Sequence, residues 1–428
     1  MSRATYLVKH LDAKGTNMVR ISHDASILPV ILGGDIGAYA IGREFHEAYG
    51  CKAISLIQEP IGIIKHSRIF EHVRCATTEP EEICDHVRRI AVRNRDKTVV
   101  LITNSEPCIP AVNAAKAQVE GIVSPTPSAE VIAQVSNKNR FNELCRAHGL
   151  DTPATELVHL AGNEPIAPSE IAFPLVAKPA YSPEYASFIN MGFKKVYFIE
   201  RQEQLDELWA KLRDAGFAGN FLVQELIGGD DTYMDSVTLY IDSHGKTTMF
   251  GGAQVLLEDH APSMLGNPVA MITQPMEDVW DKCAHMLTSI GYRGFANFDI
   301  KRDPATGRRL FLEVNPRIGR NSFYNCAAGA NPMAFCVEDL VCGREVEPVR
   351  ISHEILYSLV PTRLLRRYVR DEELLARVDR LVSQGRVFDP QRYSADRSLR
   401  RMVDVELTEN NQYRKFARYY PEPTETSF

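Results

Sequence analysis

ANFDIKRDPATGRRLFLEVNPRIGRN, residues 296–321, is the stretch whose reading decides the architecture of this chain. Ala296 to Arg302 and Arg309 to Val314 each alternate apolar with polar residues, and Asp303 to Arg308 between them has the composition of a turn. The segment is therefore a β-hairpin. With its tip at Ala305 and Thr306, antiparallel pairing sets Asp299 nearly opposite Glu313, and the period of two puts Asn315 on the face of Glu313. Two carboxylates set across from each other repel unless something positive lies between them. A short cluster of hard oxygen donors suits Mg2+ holding phosphates. The ordinary alternative is a solvated face whose acids pair with Lys301 or Arg309.

Working outward, the next signals are basic. Ser136-Asn137-Lys138 opens a helix with Phe141, Leu144 and Cys145 inward. Phe173-Pro174-Leu175-Val176-Ala177-Lys178-Pro179 reads as a strand that delivers a lysine at its mouth, since burying that lysine alone is costly. Phe221 to Glu225 is a buried strand that runs into the acidic, glycine-rich link Leu226-Ile227-Gly228-Gly229-Asp230-Asp231.

Taken in order, these elements resemble the ATP-grasp ligases. In that family an Asp on one strand and a Glu-x-Asn pair on the next hold the magnesium ions of ATP, so the resemblance implies Asp299, Glu313 and Asn315 as metal ligands. It implies Arg317 beside the transferring phosphate, Lys138 and Lys178 on the ATP phosphates, Gln224, Glu225 and Ile227 around adenine, and Asp231 at the ribose. Two departures stand out. Asn137 replaces a usual Asp, and the segment 180–187, in the place of the loop that folds over the phosphates, has no glycine.

Before these elements, Pro29-Val30-Ile31-Leu32, then Gly33-Gly34-Asp35-Ile36-Gly37, then a helix with Ala38, Ile41, Phe45 and Ala48 inward, read as a strand, a glycine turn and a helix. Further βα units follow, with strands at 53–57 and 98–102 and a helix over 82–92. An open, largely parallel sheet of Rossmann type is the natural closure. Its crevice holds Gly34, Asp35 and Asn104-Ser105-Glu106 as a substrate edge. Arg320 and Asn321, beyond the hairpin, join it, the arginine as a planar carboxylate clamp. Neither the dinucleotide G-x-G-x-x-G nor a Walker A sequence occurs, which argues against a nicotinamide enzyme.

The expected architecture is α/β: residues 1–135 a Rossmann-like domain, 136–226 the lid and first nucleotide-binding subdomain, 227–345 the second with the metal hairpin, and 346–428 a small α/β extension. One helix is expected in the extension, over 371–382, and one edge strand in residues 1–28. The Arg-rich run of the extension, Arg363 to Tyr368, offers a surface for a homodimer partner or an anionic substrate, or is a solvated face.

Composition sets outer limits. The 428 residues are 44% hydrophobic and 24% charged, enough for several cores, and the net charge of -6 gives no field for nucleic acid. No run of 18 apolar residues and no leader pattern is seen, so a cytoplasmic protein without a membrane span is expected. Nine cysteines without Cys-x-x-Cys spacing read as reduced thiols.

Within the family, the openings ILGGDIGAYAIGREFHEAYG and QELIGGDD are similar to the carboxylate-amine ligases typified by D-aspartate ligase, which join the D-aspartate side-chain carboxylate to a lysine amine of a peptidoglycan precursor. That likeness implies ATP and Mg2+ as cofactors, an amino-acid carboxylate and an amine acceptor as substrates, and an acyl-phosphate intermediate. The other readings are a carboxyphosphate former of the biotin carboxylase or carbamoyl phosphate synthetase type, and a nucleotide-binding module without catalysis.

Overall fold

A computed structural model describes residues 19, 21–22, 24–162, 164–180, 182–262 and 264–426. The chain begins, in the described residues, with strands β1 (Ile27–Ile31), β2 (Ala53–Ile57), β3 (Phe70–Arg74), β4 (Thr98–Ile102) and β5 (Ile122–Val123). Helices α1 (Ile36–Tyr49), α2 (Gly62–Lys65), α3 (Pro80–Arg93) and α4 (Ile109–Gln118) connect them. Every pairing is parallel and the order is β3-β2-β1-β4-β5, so the order reverses at β1. Ligands of such sheets gather at the carboxyl ends beside that reversal. The turns after β1 and β4 therefore face one crevice. The edge strand expected in 1–28 falls largely on positions 1–18, 20 and 23, outside the described residues.

Helices α5 (Ala129–Ser136) and α6 (Lys138–Ala147) lead into a four-stranded antiparallel sheet. Its strands are β6 (Thr155–His159), β7 (Leu175–Pro179), β8 (Tyr197–Ile199) and β9 (Asn220–Glu225), in the order β6-β9-β7-β8, with α7 (Ser182–Asn190) and α8 (Gln202–Asp214) packed on it. Leu175, Ala177, Phe221 and Val223 point to the helices and form a core of their own with Leu205, Leu208, Trp209 and Leu212. Val176, Lys178, Leu222 and Gln224 alternate with them and share the opposite face. The glycine-free segment after Lys178, expected as a loop over the phosphates, is instead the start of α7. Without glycine it has no cheap left-handed positions, and Pro183 is tolerated in a first helical turn.

The largest sheet contains β10 (Met234–Ile241), β11 (Thr247–Asp259), β12 (Asn267–Thr273), β13 (Gly294–Arg302) and β14 (Arg309–Asn315), backed by α9 (Glu277–Ser289), α10 (Phe323–Ala327) and α11 (Pro332–Leu340). All thirteen residues of β11 are buried. Trp280 on α9 and Phe295 and Phe298 on β13 are fully enclosed, each contributing roughly 1.5–3 kcal/mol of apolar burial. The segment after 346 continues this sheet: β15 (Val349–Arg350) pairs with β11, β16 (Leu356–Ser358) with β12, and β17 (Val387–Phe388) with β16.

Among the described residues three α-helices, not one, lie in that segment: α12 (Thr362–Tyr368), α13 (Glu372–Ser383) and α14 (Leu399–Tyr419). The apolar pattern of α14 misleads because Leu399, Met402, Val403 and Leu407 are exposed, while Val405 and Phe416 are the buried positions. One continuous core runs from the α1 face of the first sheet through the large sheet to α14, whereas the four-stranded sheet keeps its separate one. All nine cysteines are free. Among the described residues no helix is long and apolar enough to cross a membrane.

Candidate functional site

The hairpin β13–β14 pairs Asn297 with Asn315, Phe298 with Val314 and Asp299 with Glu313. The next pair is Ile300 with Phe311, so Leu312 is an extra residue on β14 and a bulge sits directly beneath the two acids. The bulge takes the Leu312 carbonyl out of the ladder, and the Lys138 Nζ donates to it at 2.6 Å. Lys138 is the first residue of α6, whose cap is the Asn137 side chain, accepting from the Arg140 N–H at 3.1 Å. An asparagine therefore performs the capping at this position.

Asp299 is held from one side by two amides: Asn315 Nδ2 donates to it at 3.0 Å and Asn297 Nδ2 at 3.3 Å. Burial lifts its carboxyl above the usual range and the facing Glu313 adds to the lift, with Arg317 opposing. Glu313 behaves in the opposite sense. Enclosure by the cleft would raise it, but Lys178, Lys195, Lys138 and Arg317 together hold it below its ordinary value. Its side chain is still reached by solvent through the cleft mouth. Neither acid pairs with Lys301 or Arg309. Lys301 Nζ donates to the carbonyls of Gly229 and Asp230 at 2.7 and 3.1 Å, and Arg309 faces Asp235 and Asp278.

The cations converge from four parts of the chain. Burial, then the neighbouring Lys178, lowers the Lys138 ammonium to about 8. Lys178 is the penultimate residue of β7, on the cleft face, and Lys195 lies between α7 and β8 with its Nζ 3.4 Å from the Leu265 carbonyl. Arg317 follows β14; its Nη1 donates to the Ile318 carbonyl at 3.3 Å and its Nη2 stands 4.0 Å from Glu106, while its buried Nε has no hydrogen-bond partner among the described residues. Lys195 was not legible in the sequence. Its only signal is a Lys-Lys pair two residues beyond Gly192.

At the link after β9, Gln224 is buried and its Nε2 donates to Thr155 Oγ1 at 2.9 Å. Glu225 and Ile227 are half-buried. Asp231 is buried and turned into the protein, where it accepts from the Glu258 N–H at 2.8 Å and lies 3.0 Å from His260 Nε2. His260 in turn stacks flat on Tyr420, ring centroids 3.6 Å apart.

At the substrate edge Arg320 Nε meets Asp35 Oδ2 at 2.7 Å. The other oxygen of Asp35 caps α1 through the Ala38 N–H at 2.9 Å and accepts from Asn104 Nδ2 at 3.1 Å. The approach is close enough to require glycine at 37, where a Cβ would stand 2.4 Å from Asn104 Nδ2 and 2.9 Å from Arg320 Cγ. Gly34 is buried beside Asp35. Asn321 lies apart from this cluster, buried with its Nδ2 at 2.9 Å from Met271 Sδ.

The donor set fits a hard cation. Two carboxylates in hydrogen-bond contact across a ladder need a proton or a metal between them, and the Asn315 amide can present its oxygen after a half-turn of its terminal torsion. Among the described residues no cluster of three or more His, Cys, Asp or Glu side chains is arranged to hold a metal. The candidate set consists of two acids and an amide.

No family model matches the chain. It is 28% identical over 421 residues, 94% of this chain and 99% of the relative, to D-aspartate ligase of Enterococcus faecium (strain Aus0004). Among solved structures it is similar to the biotin carboxylase–ATP-analogue complex of Campylobacter jejuni, with a TM-score of 0.57 at 14% identity over 78% of this chain and 75% of that one. It is also similar to the ADP complex of an N5-carboxyaminoimidazole ribonucleotide synthetase, with a TM-score of 0.54 at 12% identity over 80% and 82%.

Proposed function

We infer that this chain is an ATP-grasp ligase that forms an amide between an amino-acid carboxylate and an amine through an acyl phosphate, a reading supported by its fold and its likeness to D-aspartate ligase. The observation that carries this reading is the opposed pair Asp299 and Glu313, facing one another at the convergence of Lys138, Lys178, Lys195 and Arg317. Such an arrangement is unfavourable until a cation and phosphates enter it.

In this reading Asp299, Glu313 and Asn315 hold magnesium, Lys138 and Lys178 the ATP phosphates, and Gln224, Glu225 and Ile227 the adenine; Asp231, engaged by the Glu258 N–H and His260, has to turn outward to meet the ribose. ATP supplies the phosphoryl group, and Mg2+ neutralises charge on its oxygens. Phosphoryl transfer asks the protein for positioning and charge stabilisation rather than a nucleophile, and the residues are of that kind. Arg317 stabilises the oxygens of the transferring group and then of the acyl phosphate, with Lys178 beside it. Arg320 receives the substrate's carboxylate, exchanging Asp35 for it, while Gly34 and Asp35 wall the same pocket and Asn321 supports it from the core.

The acid is a small amino acid of the aspartate kind, and the acceptor an amine of a cell-wall precursor. Phosphate release from ATP, measured with D- and L-amino acids, with bicarbonate and with neither, tests this. Release that requires an acidic amino acid is expected. Release driven by bicarbonate alone would make the chain a carboxyphosphate former, and binding without release a nucleotide module.

A further inference from the structure

Glu106 has the surroundings of a site rather than of a structural acid. It lies in the short turn after β4, at the carboxyl end of the first sheet, and reaches Arg317 only at 4.0 Å. Among the described residues its carboxylate receives no hydrogen bond, whereas Asp35, at the neighbouring strand mouth, receives two and an ion pair. Its side chain keeps 43% exposure toward the cleft. The enclosing walls nevertheless raise its pKa, against the pull of Arg317 and Lys195.

Under the ligase reading, on which this inference rests, the group activated at Arg317 must be attacked by a nitrogen held about 3–3.5 Å from the acyl carbon. That nitrogen arrives as an ammonium. A cation brought beside Arg317 and Lys195 is repelled unless an acid receives it, and Glu106 is the acid there that the metal set does not use.

We propose that Glu106 is the receptor for the acceptor's ammonium group and takes its first proton. Arg317 stands 4.0 Å from Glu106; once the acyl phosphate occupies Arg317, the carboxylate is left for the incoming cation, which orders the amine after the acid. Glu106 removes one proton from R–NH3+, the nitrogen lone pair forms the C–N bond, the C–O bond to phosphate breaks, and the second proton leaves with phosphate as HPO4 2-. Charge and atoms balance, and no further reactant is needed.

The test separates activation from amine capture. The parent chain and Glu106→Gln are given ATP, Mg2+, the amino acid that supports phosphate release, and hydroxylamine, which is neutral near neutral pH and traps acyl phosphates as hydroxamates. Lysine and lysyl peptides are then titrated in as competing ammonium compounds. In the parent these amines suppress hydroxamate formation. In Glu106→Gln, with each protein referred to its own amine-free rate, half-suppression of hydroxamate formation requires about tenfold more amine or greater. Equal suppression in both proteins, no suppression in the parent, or collapse of hydroxamate formation in the variant alone overturns the proposal. A parent that gives no hydroxamate at all removes the ligase reading itself, and this inference with it. Unchanged thermal unfolding of Glu106→Gln, a half-exposed site, excludes misfolding as the cause.

Discussion

Two carboxylates in this chain, one buried and one half-buried, are treated in opposite ways. Asp396, with no exposed side-chain surface, accepts from Tyr39 Oη at 2.9 Å, Ser67 Oγ at 2.7 Å and the Arg68 N–H at 2.7 Å, and is ion-paired to Arg401 Nε at 3.0 Å. Arg401 itself is 2% exposed and lies 4.4 Å over the Tyr39 ring. That network is closed: it ties α1 to α14 and leaves nothing for a ligand to do. Asp299 instead meets another acid, and the cations nearby act on Glu313 from a distance. A closed charge network is architecture, and an open one is a site waiting for its missing partner.

Substitutions on the two sides should break in different observables. Glu313→Gln is expected to lower phosphate release by about 10²–10³-fold or more, with little change in melting temperature, because relief of the repulsion with Asp299 and loss of the attraction to the four cations act in opposite directions. A fall in melting temperature without loss of turnover would erase the contrast. Asp396→Ala should do the reverse, costing about 3–5 kcal/mol in denaturant unfolding because Arg401 is left buried and unpaired, while the KM for ATP in the surviving folded protein stays at the parental value. Lys178→Met should lower kcat/KM for ATP by about 10²-fold without destabilising the fold, since no closed pair is opened.

The smallest effect is a pH limb. The Lys138 pKa is depressed to about 8 from its model-compound value of 10.5. Its charged form therefore costs stability below about 8, and that cost is relieved as pH rises toward the unfolded value. Activity carries the opposite sign: kcat/KM for ATP, which reports the free enzyme, should fall above about pH 8, and Lys138→Arg should move that limb upward.

Much of this was legible because it is local. Alternation with a turn composition marks the hairpin, and the period of two is enough to set Asp299 against Glu313. The single-residue bulge at Leu312 is not, since one sequence gives no count of partners across a ladder. Lys138 could be read from its cap, but not its bond to Leu312, which joins residues 174 positions apart. Lys195 joins the site only through tertiary approach, and Glu106, already placed in the crevice of the first sheet by the sequence, is brought beside Arg317 only by the fold. β12 escaped notice because Asn267 and Pro268 obscure its opening, and α14 because its exposed apolar residues outnumber the buried ones.

The separate core beneath β6–β9 has a mechanical consequence. With the first sheet and the large sheet welded by continuous packing and strapped together by α14, the least costly motion is that of the four-stranded flap, which carries Lys178 and Lys195 as a unit. The molecule is thus a box with one door, and the latch on that door is electrostatic. Opening should slow when phosphates are inside and quicken in high salt, so ionic strength should act on product escape rather than on bond making.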